Sequence, residues 1–78
     1  MNNEILWLVR LGLDQRLFTR TQAIAVRSAV GDAADLMDFA QKLIDDAIVE
    51  DLEALEKIAG LAQAKGAKSA PADDPFDE

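Results

Sequence analysis

The chain has 78 residues, of which 50% are hydrophobic, and its 15 acidic and 8 basic side chains give a net charge of −7. This length predicts one small domain that buries only about 60% of the surface of its unfolded chain. Cysteine and histidine are absent, which excludes disulfides, thiolate chemistry and the commonest general base and metal ligand. The acidity argues against nucleic-acid binding, because phosphate backbones repel an acidic surface.

The charges are unevenly distributed along the chain. Positions 1–31 hold four arginines and two acids, positions 32–65 hold three lysines and nine acids, and positions 66–78 hold one lysine and four acids. We expect the first part either to dock on the rest or to meet a different partner. The start, MNNE, lacks the positive region of a signal peptide, and no apolar run approaches the roughly 20 residues of a membrane span. We therefore expect no membrane insertion and a cytoplasmic location.

The first predicted helix covers positions 3–14 and is apolar on nearly every side. A surface helix needs only one apolar stripe, yet Trp7 and Leu11 form a side of their own, away from Ile5 and Val9. Either the other helices wrap this helix completely, or Trp7 and Leu11 anchor a protein–protein or homodimer interface. We favour the interface, because so small a chain can hardly cover one helix all round.

The second predicted helix covers positions 20–30 and has clear boundaries. Thr19 and Gln22 form the pattern T-x-x-Q of a capping box, in which each side chain accepts a hydrogen bond from the other residue's free amide. Gly31 can adopt the left-handed conformation that ends a helix.

Two more helices complete an all-α fold. We expect the third over positions 33–46, capped by Asp32, and the fourth over positions 50–64, with acids in its first turn. No stretch alternates as a strand would. The prediction is four short helices arranged as two antiparallel αα-hairpins, which form a small bundle over residues 1–65.

The remaining residues, 66–78, are predicted to be a disordered acidic tail, because their Pro, Ser, Ala and acidic side chains bury too little to fold. Within it Asp74, Pro75 and Phe76 place one aromatic ring in an acidic setting. They form either a short recognition motif or part of a solubilising tail, and we favour the latter.

The two halves look internally duplicated. LVRLGL at 8–13 aligns with LIDDAI at 43–48, and each is followed by an apolar pair and a new helix. The repeated pattern, extended through LFTRTQA in the first copy and VEDLEAL in the second, resembles the helical N-terminal adaptor domain of type II secretion and type IV pilus assembly ATPases. The first copy has DQR inserted after Leu13, and the second has Ala47 and Glu50 where the family favours glycine and serine or threonine.

This resemblance implies a helical adaptor that docks a motor on a membrane partner, and some family members bind a cyclic dinucleotide. Arg10, Leu11 and Gly12 supply the RLG tripeptide of those members, at the turn rather than at the opening of the repeat. The ATPase itself is not represented, since these residues contain no Walker glycine loop.

The charged residues otherwise suggest no chemistry. Neighbouring carboxylates such as Asp45 and Asp46 point to different sides of a helix, and no acidic loop has the spacing of a calcium site, so we expect neither catalysis nor a bound metal or cofactor. Arg10, Arg16 and Arg20 can cluster near the first turn, either to bind an anion or to pair with the acidic helices. Arg20 and Arg27 lie one heptad apart on one face of the second helix.

These observations favour a small non-enzymatic adaptor or regulatory module that binds a protein partner, a second copy of itself, or both. Trp7 and Leu11 are the expected anchors, and Arg10, Arg16 and Arg20 the expected polar rim. The alternative is a regulatory module that binds an anionic ligand, such as a cyclic dinucleotide, through those three arginines.

Overall fold

Four α-helices joined by short loops make up the computed structural model, which describes residues 2–76. No strand occurs within this range, so the all-α prediction is confirmed. Met1, Asp77 and Glu78 lie outside the described residues, and with them the last two positions of the predicted tail. The helices are α1 (Asn3–Asp14), α2 (Arg20–Val30), α3 (Leu36–Asp45) and α4 (Leu52–Gly66).

Side-chain caps start all four helices. The capping box predicted at the start of α2 is confirmed: the Gln22 amide donates to Thr19 Oγ1 at 3.1 Å and the Thr19 amide donates to Gln22 Oε1 at 2.9 Å. The cap predicted for α3 at Asp32 is wrong. Asp35 caps instead, since the Asp38 amide donates to Asp35 Oδ1 at 2.9 Å and the Asp35 amide donates to Asp38 Oδ2 at 3.3 Å.

The end of α1 is a Schellman turn without glycine. Arg16 adopts a φ of 59°. The Leu17 amide donates to the Gly12 carbonyl at 2.9 Å and the Arg16 amide to the Leu13 carbonyl at 3.1 Å, which satisfies two carbonyls at the end of the helix. The turn redirects the chain into α2. The end of α2 differs: Gly31 has the predicted positive φ, 83°, with an extended ψ of 173°.

An identical turn ends α3 and shows the true register of the duplication. Ala47 has a φ of 55°, and the two equivalent hydrogen bonds are both 3.0 Å long. Residues 13–18 therefore correspond to residues 44–49, a different register from the expected alignment of 8–13 with 43–48. The buried positions Ile5, Leu8, Val9, Gly12 and Phe18 recur as Leu36, Phe39, Ala40, Leu43 and Val49.

The main helix contacts differ from the predicted hairpins. α1 packs chiefly on α4, and α2 packs on α3, so the predicted hairpins of α1 with α2 and of α3 with α4 are not confirmed. Because α1 corresponds to α3 and α2 to α4 in the duplication, these two contacts are equivalent: the first arm of each copy packs on the second arm of the other. α1 also contacts α3, and this central position explains why Ile5, Leu8 and Val9 are fully buried.

The segment after α4 has neither helix nor strand, as predicted, but it folds back on the bundle. Residues 67–74 are mostly exposed, whereas Pro75 and Phe76 are buried and Phe76 belongs to the core. Disorder is therefore not confirmed for residues 67–76. A single aromatic ring and a proline bury enough apolar surface to hold the end of an otherwise polar segment.

Candidate functional site

Trp7 lies against the segment that follows α4. Its indole Nε1–H donates to the Ser69 carbonyl at 2.8 Å, and the Lys65 ammonium lies 4.9 Å from the centre of its ring. Trp7 is half-buried, and so is Leu11, which packs against the core. Contacts within the chain thus use part of the apolar surface that the sequence assigns to an interface.

The three arginines predicted as a polar rim make different contacts. Arg10 pairs with Asp14 of its own helix at 3.9 Å, and both side chains are largely exposed. Arg16 is exposed at the left-handed position of the first turn. Arg20 donates its Nε–H to the Pro75 carbonyl at 3.1 Å. Arg10 and Arg20 therefore already have partners, and neither contact links them to the acidic helices.

The carboxylates with defined contacts support helices. Asp35 and Asp38 cap α3, Asp45 accepts a hydrogen bond from the side-chain amide of Gln41 at 2.8 Å, and Asp46 pairs with Lys42 at 3.2 Å. Within residues 2–76 no polar or charged side chain is buried, and no group of three or more acidic side chains is placed to hold a metal. Each of these contacts lies at the helix surface, open to water.

The predicted tail motif forms a compact anchor. The Phe76 amide donates to Asp74 Oδ1 at 2.9 Å, which turns the chain so that the Phe76 ring enters the core. There the ring meets Phe39 edge-on, with 6.4 Å between centroids and a 70° angle between planes. The guanidinium of Arg27 lies over the ring, 4.9 Å from its centre.

A separate apolar groove lies between α3 and α4. Its rim carries three large exposed side chains: Met37 is 66% exposed, Leu52 51% and Ile44 38%. The groove has a volume of about 220 Å³, and Ala40, Leu55, Glu56 and Ala59 complete its lining. Exposed apolar residues scattered singly are ordinary, but a contiguous set around a groove is typical of a docking surface.

The helices that form this groove belong to an acidic part of the sequence. The sequence from position 36 to 59, which includes α3 and the first half of α4, holds seven acids and two lysines, a net charge of −5. Glu56 is among the lining residues. Such a surface attracts cations and basic segments and repels another copy of itself.

Sequence reasoning missed the groove and two of the residues that hold Phe76. Met37 and Ile44 widen the apolar face of α3, and periodicity cannot tell which edge of a wide apolar face stays uncovered. Arg27 and Phe39 had weaker signals: Arg27 lies one heptad from Arg20, and Phe39 is one of only three phenylalanines. Neither signal identifies a partner far away in the sequence.

Comparison of the chain with protein-family models, curated proteins and solved structures finds no significant match. The resemblance to the adaptor domain of secretion and pilus ATPases therefore stays a prediction. Among residues 2–76, no helix has the length and apolar character needed to cross a bilayer.

Proposed function

We propose that this chain is a small non-enzymatic protein–protein interaction module whose docking surface is the groove between α3 and α4. The observation that carries the proposal is the exposure of Met37, Ile44 and Leu52 around one groove with an apolar floor. Trp7 and Leu11 fit this role less well, because both are half-buried and Trp7 is hydrogen-bonded within the chain. The surface contacts of the carboxylates support the non-enzymatic part of the proposal.

The occupant that fits the groove is an amphipathic helix with an apolar face flanked by lysine or arginine. Its apolar face would cover the three exposed side chains, and its cations would meet the acids of α3 and α4. A second copy of the chain fits less well, because two copies of a segment with a net charge of −5 over positions 36–59 repel each other.

A synthetic helix of about four turns, with leucine on one face and lysine on the other, tests the proposal. The intact chain should bind it saturably in a calorimetric titration. Met37→Ala combined with Leu52→Ala should weaken binding at least tenfold, because each large apolar side chain buried contributes about 1.5–3 kcal/mol and 1.4 kcal/mol is tenfold in affinity.

Leu61→Ala is the matched control. Leu61 is 49% exposed on α4 but lies nine residues from Leu52, two and a half turns away, on the opposite side of the helix. This variant should bind within about twofold of the parent chain, since it removes a similar exposed surface outside the groove. Equal weakening by Leu61→Ala would show general attraction to an acidic surface, and full affinity in the double variant would exclude the groove.

A further inference from the structure

We propose that the cleft between α2 and α3 is a binding site for acidic peptides containing Pro-Phe, and that residues 74–76 of this chain occupy it in cis. The inference does not depend on the groove between α3 and α4. It rests on the way each element of the Asp-Pro-Phe sequence is recognised by a separate group of the helical bundle.

The ring of Phe76 is held by two groups, one from α3 and one from α2. Phe39 of α3 meets it edge-on at 6.4 Å, and the guanidinium of Arg27 on α2 lies 4.9 Å from its centre. Only 8% of Phe76 remains exposed. An edge-on aromatic contact and a cation over the ring are together specific for an aromatic side chain, because both interactions depend on the charge distribution of the π system.

The backbone of the segment is recognised as well. Arg20 Nε–H donates to the Pro75 carbonyl at 3.1 Å, and the Pro75 side chain is buried. The Asp74 carboxylate accepts the Phe76 amide at 2.9 Å and so fixes the turn that aims the ring inward. Asp, Pro and Phe therefore have distinct roles: the first shapes the turn, the second restricts the backbone, and the third fills the cleft.

The segment is attached as a ligand on a tether. Between the end of α4 and Asp74 the chain is mostly exposed and has neither helix nor strand, with one hydrogen bond from Trp7 to the Ser69 carbonyl. Its acids, Asp73 and Asp74, directly precede Pro75 and Phe76, the residues that contact Arg20 and Arg27 of α2. Such a tether holds its ligand at a high effective concentration, so an external peptide binds well only when the tail is released.

The test uses the full-length chain with Phe76→Ala, which empties the cleft, and a fluorescein-labelled peptide of the sequence SAPADDPFDE, positions 69–78 of this chain. Fluorescence anisotropy should show saturable binding to the variant at least tenfold tighter than to the parent chain, because in the parent the tail competes. The same peptide with alanine in place of phenylalanine should not bind.

Arginine variants in the Phe76→Ala background locate the site. Arg27→Ala should weaken peptide binding at least tenfold, because the cation over the ring is lost. Arg10→Ala is the matched control: it removes an arginine from α1 that pairs with Asp14 of the same helix, and affinity should stay within twofold. The proposal fails if the folded Phe76→Ala chain does not bind, if the parent chain binds equally well, or if the two arginine variants weaken binding alike.

A second measurement covers the case in which Phe76→Ala does not fold. The ¹⁵N-labelled parent chain is titrated with millimolar unlabelled peptide, and its amide spectrum is recorded. Displacement of the tail should move the Phe76 amide towards its random-coil position while the α1 amides stay in place. A Phe76 amide that does not move at saturating peptide would overturn the proposal.

Discussion

At Gly12 the close approach of α1 to the ring of Phe18 leaves no room for a side chain. A Cβ atom there would lie 2.3 Å from Cε2 and Cζ of Phe18, well inside van der Waals contact. The ring is buried beneath the turn that follows α1 and cannot swing into solvent without exposing its apolar surface. Gly12→Ala should therefore destabilise the fold by about 1–3 kcal/mol, the usual cost of overpacking, despite the better helix propensity of alanine.

Gly60→Ala provides the matched control for that measurement. Gly60 also lies inside a helix, but nothing lies within 4 Å of the Cβ atom that would be added. The substitution should stabilise the chain by about 0.5–1 kcal/mol, because only the backbone entropy changes. Urea unfolding followed by circular dichroism measures both variants, and a stabilised Gly12→Ala would show that the ring of Phe18 is free to move aside.

Ala47 adopts a left-handed backbone conformation at the end of α3. Its φ of 55° is a strained conformation for any side chain, yet it forms the turn that ends α3. Ala47→Gly should stabilise the chain by about 0.5–1 kcal/mol, since glycine adopts this conformation without strain. The control, Ala25→Gly, lies exposed inside α2 and should destabilise by about 1 kcal/mol. Equal destabilisation by both glycines, in the same urea assay, would contradict the strain argument.

At the scale of elements, local sequence patterns predict where the helices lie but not which helices pack on one another. The bounds of α1 and α2 match the predicted ranges because their signals are local, above all the capping box of Thr19. α3 starts later than expected: Asp32 and Asp35 each have an acid three residues on, so the sequence offers two possible capping boxes, and the one that forms is Asp35 with Asp38. Sequence periodicity shows that a helix has an apolar face but not which helix covers it.

The pairing of helices explains the apolar first run. With α1 lying on α4 and also touching α3, a helix that is apolar on most sides is the natural centre of the bundle. The remaining side of α1, at Trp7, lies against Lys65 near the end of α4 and Ser69 beyond it. The sequence could not show this, because the covering segment itself reads as polar and unstructured, and its two anchoring contacts come from residues more than 50 positions away.

At the scale of the whole molecule, charge and contacts together favour a monomer in the absence of a partner. The net charge of −7 opposes association of identical chains, and the apolar groove between α3 and α4 lies in an acidic part of the sequence. The surface around Trp7, which the sequence suggested for a homodimer, is engaged within one chain. Dilution, which would dissociate a dimer, should therefore leave the emission of Trp7 unchanged.

The single tryptophan makes this prediction measurable, because every emitted photon in the indole band reports on Trp7. On dilution from high to very low concentration, its emission maximum should stay constant and blue of that of N-acetyltryptophanamide, since a half-buried indole bonded to the Ser69 carbonyl is shielded in each monomer. Sedimentation at the same concentrations should give the mass of one chain. A red shift accompanied by falling mass would place Trp7 in a self-interface instead. A solvent-like emission at every concentration would mean that the Ser69 contact does not persist in solution, and the surface around Trp7 and Leu11 would then be open to a partner.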